Sequence, residues 1–205
     1  VGDLHNARLY TKTASGAYFV ATGADDQEHV YTGMGAMVTA IDTTSANAVN
    51  IESMAAAKDS LILSGSDAAG VVSVRLFTPD ATGPTTGTVI TLGLARRALS
   101  GRALQSVRSP RFMTTLGDDV YFAWRSESDP SKDAMWRVQA TGEASEVAMI
   151  PKPASAPTTA TVRAASIIAA GGSIFVESSG TSGDATVTDI FKWVDGTWFA
   201  LGSRD

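Results

Sequence analysis

Three kinds of side chain in this 205-residue sequence are suited to chemistry or ligand binding: clustered carboxylates, flat aromatics and one dense run of arginine. Asp25, Asp26 and Glu28 share one polar stretch, Asp118 and Asp119 adjoin, and Glu127, Asp129 and Asp133 share a third stretch. Paired carboxylates serve glycoside cleavage or hold Ca²⁺ through oxygen. None of these clusters has the ordered spacing of an EF-hand loop. No cofactor is therefore expected, and Ca²⁺ is the one ion these oxygens would suit. Trp124, Trp136, Trp193 and Trp198 offer flat faces of the kind that stack on sugars. Trp136 and Trp193 hold equivalent places and point to packing, whereas Trp198 opens the last apolar run and is expected to be the most exposed. Asp25, Asp26, Asp129 and Trp198 are thus the candidate ligand-binding residues of a carbohydrate reading.

Other chemistries lack their parts. The only histidines, His5 and His29, have no metal-ligand spacing, and there is no cysteine for thiolate chemistry or disulfides. No Gly-x-Ser-x-Gly elbow and no phosphate-cradling loop ending in Gly-Lys-Ser/Thr is present. No catalytic residue is named, and the chain is expected not to be an enzyme.

The arginine run lies in 93–110, Gly-Leu-Ala-Arg-Arg-Ala-Leu-Ser-Gly-Arg-Ala-Leu-Gln-Ser-Val-Arg-Ser-Pro. Arg96, Arg97, Arg102 and Arg108, with Arg111 just beyond, concentrate guanidinium groups in one place. Such a cluster is either a docking surface for an acidic partner or a solvated connection whose long stems cover apolar surface. As a candidate partner-binding surface these five arginines are the first choice.

The chain as a whole is mildly acidic, with 21 Asp and Glu against 16 Lys and Arg and a formal charge of −5. Nucleic-acid binding needs the opposite, an electropositive footprint, and is not expected. No apolar run is long enough for a membrane span. The wealth of Thr, Ser, Gly and Ala, with few lysines, leans towards an extracytoplasmic protein: periplasmic, cell-surface or secreted. Because the sequence starts at Val1, it is read as a processed or excised part of something longer.

What must position these residues is a unit that occurs four times. Its openings are Arg8-Leu-Tyr-Thr-Lys-Thr-Ala-Ser-Gly-Ala-Tyr-Phe-Val-Ala21, Glu52-Ser-Met-Ala-Ala-Ala-Lys-Asp-Ser-Leu-Ile-Leu-Ser64, Arg111-Phe-Met-Thr-Thr-Leu-Gly-Asp-Asp-Val-Tyr-Phe-Ala-Trp124 and Ala165-Ser-Ile-Ile-Ala-Ala-Gly-Gly-Ser-Ile-Phe-Val-Glu177. Self-similarity on this scale decides architecture before any single motif does. The strongest segment of each unit, 17–21, 61–63, 120–123 or 174–176, is a short, nearly continuous apolar run bounded by turn residues. That pattern predicts a strand covered on both faces. Polar loops are expected at 22–28, 65–70, 125–133 and 177–189, followed in each unit by a third and a fourth strand. Asp195-Gly196 between two apolar runs is a hairpin signal. Residues 152–157, rich in Pro and Ala, read as an extended connector.

The final unit, Ile190-Phe-Lys-Trp-Val-Asp-Gly-Thr-Trp-Phe-Ala-Leu-Gly202, resembles the aromatic, Asp-Gly, Trp, Leu-Gly pattern of kelch-like propeller blades in secreted bacterial proteins. Met135-Trp-Arg-Val-Gln-Ala-Thr-Gly142 is a looser copy. The expectation is an all-β fold: a β-propeller-like array of about four four-stranded antiparallel blades, complete or part of a larger ring, with a β-sandwich as the alternative. The blades fall near 7–42, 50–92, 110–150 and 164–203, in one domain spanning 1–205. The expected function is a non-catalytic scaffold or protein-binding module. A carbohydrate-binding or carbohydrate-active propeller is the alternative, and a structural subunit of a surface assembly or virion is the third possibility.

Overall fold

The computed structural model describes residues 4–34, 37–41, 48–67, 71–91, 110 and 112–203. Each sequence unit folds into one antiparallel sheet of four strands taken in chain order. Sheet 1 is β1 (His5–Thr13), β2 (Gly16–Thr22), β3 (Glu28–Met34) and β4 (Met37–Ala40). Sheet 2 is β5 (Ala48–Ala57), β6 (Ser60–Asp67), β7 (Val72–Asp80) and β8 (Gly83–Thr91). Sheet 3 is β9 (Met113–Leu116), β10 (Asp119–Arg125), β11 (Asp133–Val138) and β12 (Ala144–Met149). Sheet 4 is β13 (Thr161–Ala170), β14 (Ser173–Ser182), β15 (Ala185–Val194) and β16 (Thr197–Ser203). The four apolar runs are the second strands, β2, β6, β10 and β14. The Asp195-Gly196 signal is a two-residue turn with φ of 47° and 86°. Positive φ at both positions matches the twist of the flanking strands, and it sets Val194 opposite Thr197 and Trp193 opposite Trp198.

One expected loop is not a loop. Residues 177–189 continue β14 and β15 as a ladder that runs to Ser182 opposite Ala185. The segment has few apolar residues, so it shows no hydrophobic alternation, yet paired hydroxyls line it. Ser179 and Thr188 lie 3.2 Å apart, as do Thr181 and Thr186. Thr favours strands, and cross-strand hydroxyl pairs stabilise them.

The chain divides into two compact units, Val1–Arg111 with Gln139–Glu143, and Phe112–Val138 with Ala144–Asp205. In the first, Tyr18, Val20 and Val30 of sheet 1 form one core with Ile51, Met54, Leu61, Leu63 and Phe77 of sheet 2. In the second, Tyr121 and Met135 of sheet 3 form a core with Ile167, Ile174 and Val176 of sheet 4. Each buried side chain of this size contributes about 1.5–3 kcal/mol through removal from water.

A carboxylate bridges the two sheets of each unit at the same topological point, the first residue of the third strand. In the first unit Glu28 accepts the Ile51 N–H of β5 at 2.8 Å and pairs with Arg8 at 2.6 Å. Arg8 also donates to the Ile51 carbonyl. In the second unit Asp133 accepts the Ala164 N–H of β13 at 3.0 Å, with Arg163 at 3.5 Å. The backbone continues that contact, because Val162 N–H donates to the Ser131 carbonyl at 3.1 Å.

Candidate functional site

Two of the candidate ligand-binding carboxylates, Asp25 and Asp129, are engaged by neighbours close in sequence. Asp25 accepts the Gln27 N–H and faces His29 Nε2 at 2.9 Å. The His29 contact, then the Gln27 N–H, holds its carboxyl below the ordinary value. Asp26 follows in the left-handed region, at φ 58°. Asp129 accepts both the N–H and the hydroxyl of Ser131 and pairs with Lys132 at 2.8 Å. Lys132 first, then Ser131, lowers its pKa to about 2. Asp25 and Asp26 belong to the first unit, Asp129 and Trp198 to the second. Among the described residues, no three His, Asp or Glu side chains converge as a metal site. Arg96, Arg97, Arg102, Arg108 and Arg111 lie outside the described residues.

Trp198, expected to be the most exposed of the four tryptophans, is half-buried, as is Trp193, whereas Trp124 and Trp136 are buried. Trp198 packs against the core of the second unit, edge-on to Phe191 with centroids 6.5 Å apart. Its register explains this. Trp193 faces Trp198 across the two-residue turn, so both rings must lie on one side of the sheet, the side that holds Ile174 and packs on Tyr121. The Trp198 indole N–H is buried there and has no partner among the described residues.

The side chains that do face water are the neighbours of these tryptophans. Ile168, Phe175, Lys192 and Phe199 lie directly opposite one another across all four strands of sheet 4. They therefore share the face away from the core. Ile168 is 58% exposed and Phe199 50%, while Leu201, at the bulge in β16, is 56% exposed. Lys192 Nζ sits 5.9 Å from the centre of the Phe175 ring. Exposed apolar side chains that join into a patch, unlike scattered ones, mark interaction surfaces. The sequence did carry a sign of this face. Trp198-Phe199-Ala200-Leu201 is apolar at every position, the pattern of a strand covered on both sides.

Sheet 1 carries a second open row. Tyr10, Phe19 and Tyr31 stack across β1, β2 and β3 with successive centroids 5.7 Å apart and planes within 26°. Tyr10, at the free end of this ladder, is 72% exposed. The inner ring faces are covered by one another, which leaves one outer Tyr10 face for contact.

No family model matches the chain, and no curated protein sequence matches it. Among solved structures, the chain is similar to the β-propeller domain of Nup133 from Vanderwaltozyma polyspora, with a TM-score of 0.51 and 12% sequence identity. The match covers 96% of this chain and 56% of that one, so the chain spans little more than half the length of the propeller it resembles. At that identity the likeness concerns the fold: an all-β array of four-stranded antiparallel blades of the β-propeller type.

Proposed function

We propose that this chain is a non-catalytic scaffold that binds other protein surfaces, working outside the cytoplasm. The observation that carries this reading is the outer face of sheet 4, where Ile168, Phe199 and Leu201 form an apolar patch in water. A scaffold needs such a patch, since burying apolar area drives most protein association. The composition, rich in Thr, Ser, Gly and Ala and poor in lysine, supports an extracytoplasmic setting, as does the resemblance of 190–202 to kelch-like blades of secreted bacterial proteins. The arginine run supplies a second contact in this proposal, through Arg96, Arg97, Arg102, Arg108 and Arg111, suited to acidic groups on the partner.

The test is affinity purification from the source organism with cross-linking through amines. Wild-type chain is expected to retain a specific protein, with cross-links at Lys192 beside the patch. Replacing Phe199 and Leu201 with Glu should abolish retention, and replacing Arg96, Arg97 and Arg102 with Glu should weaken it, both without loss of folding. Retention unchanged in both variants would sink the reading.

A further inference from the structure

Two turns of sheet 4 hold the same two residue types in opposite order. Between β14 and β15 the turn is Gly183-Asp184, closed by Ser182 opposite Ala185. Between β15 and β16 it is Asp195-Gly196, closed by Val194 opposite Thr197. Both aspartates are exposed. The order decides which amide nitrogen follows each carboxyl. After Asp184 it belongs to Ala185, which carries a methyl group and is paired in the ladder. After Asp195 it belongs to Gly196, which is exposed, lies inside the turn and has no side chain. A Cβ placed on Gly196 would meet nothing within 4 Å, so the space around that residue is open. Asp195-Gly196 is also the only Asp-Gly pair in the sequence.

An amide nitrogen one residue beyond an aspartate carboxyl can close a five-membered ring on it. We propose that Asp195 is a modification site of this kind, where the chain converts aspartate to isoaspartate through a cyclic imide. The Gly196 nitrogen gives up its proton and bonds to Asp195 Cγ, the carboxyl gives up its hydroxyl, and the two leave as one water. Solvent water then opens the ring at one of its two carbonyls. Opening at Cγ restores aspartate, whereas opening at the main-chain carbonyl leaves the chain running through Cγ and frees the α-carboxylate. No oxidant or reductant enters, and the mass of the residue is unchanged. Two features of this turn favour closure over the turn at Asp184. Gly196 puts no side chain in the path of attack, and Asp195, at φ 47°, holds an L residue in the left-handed region, a strain that a longer backbone relieves. The product carries one additional backbone atom between Val194 and Thr197. Because the length of the turn fixes the register of a hairpin, conversion disturbs the pairing of Trp193 with Trp198.

Peptide mapping of the folded 205-residue chain after prolonged incubation in mildly acidic buffer tests the site. Trypsin releases the peptide from Trp193 to Arg204, and isoaspartate in it appears as a second peak of equal mass with altered backbone fragments. In water enriched in oxygen-18, the converted peptide is expected to carry the label. Conversion at Asp195 is expected to run several-fold faster than at Asp184. Asp195→Asn keeps a residue pair that favours the same turn and should convert faster still, losing ammonia in place of water. Asp195→Gly also suits the turn and should abolish conversion. Red-shifted tryptophan emission is expected in aged wild type and not in aged Asp195→Gly. An Asp195 that stays aspartate in the folded chain, while it converts in urea, overturns the proposal. So do equal rates at Asp184 and Asp195. Conversion with unshifted emission would refute the effect on the tryptophan pair.

Discussion

Glu28 and Asp133 do one job in two electrostatic settings. Each is the first residue of a third strand, and each accepts a backbone N–H from the first strand of the next sheet. In the first unit the compensating arginine is Arg8, on the same sheet as the acid and 2.6 Å from it. In the second unit it is Arg163, on the neighbouring sheet and 3.5 Å away. Burial therefore dominates at Asp133 and raises its pKa, against the opposing pull of the Ala164 N–H, Arg163 and Arg125. Burial also lowers the pKa of Arg163. The lesson is that the hydrogen bond between sheets is what both sites share, with a closer ion pair in the first unit than in the second.

The largest effect should come from removing the acceptor. Glu28→Ala and Asp133→Ala each leave a strand N–H without its partner, and each is expected to cost about 1–3 kcal/mol in urea unfolding. A cost confined to one of the two would break the equivalence. A smaller effect separates them. Glu28→Gln keeps an acceptor but loses the Arg8 ion pair, for about 1 kcal/mol and with dependence on salt. Asp133→Asn keeps the acceptor and removes a poorly compensated buried charge, so stability at neutral pH should hold or rise.

The pH dependence of stability follows the same line. A carboxyl whose folded pKa is raised binds its proton more readily in the folded state. The Asp133 contribution should thus improve as pH falls from neutral through the raised value towards the ordinary 3.8, and Asp133→Asn should erase it. Asp25 and Asp129 have lowered pKa values and run the other way, with stability present above 3.8 and lost as pH falls through the lowered value. The smallest effect is local to the loop that delivers Asp133. An NMR titration of Asp129 should give a midpoint of about 2, and Lys132→Ala should move it up towards 3.8 while thermal unfolding stays almost unchanged.

Sheet architecture was legible because four apolar runs with turn residues on each side leave few alternatives to a buried strand. The β14–β15 extension was not, because a strand of Ser, Thr and Gly shows no hydrophobic period. Trp198 was legible in principle: a two-residue turn at Asp195-Gly196 fixes it on the same side as Trp193. The bridging roles of Glu28 and Asp133 had no signal at all, since an acid at a loop end looks alike whether it bonds water or the next sheet. The open face of sheet 4 lay between these cases. Its apolar residues stand plainly in 198–201, but only the register shows which of them stay outside.

Among the described residues, each strand of a sheet pairs only with its immediate neighbours in the chain. This has a kinetic consequence. Hairpins close over short loops, where the entropy of closure is small, and short-range contacts favour rapid folding. Sheets 1 and 2, with the Glu28 bridge between them, can therefore assemble during synthesis before the residues of sheets 3 and 4 have left the ribosome. Sheets 1 and 2 are then in place as a folded body, and sheets 3 and 4 each form later as a single meander.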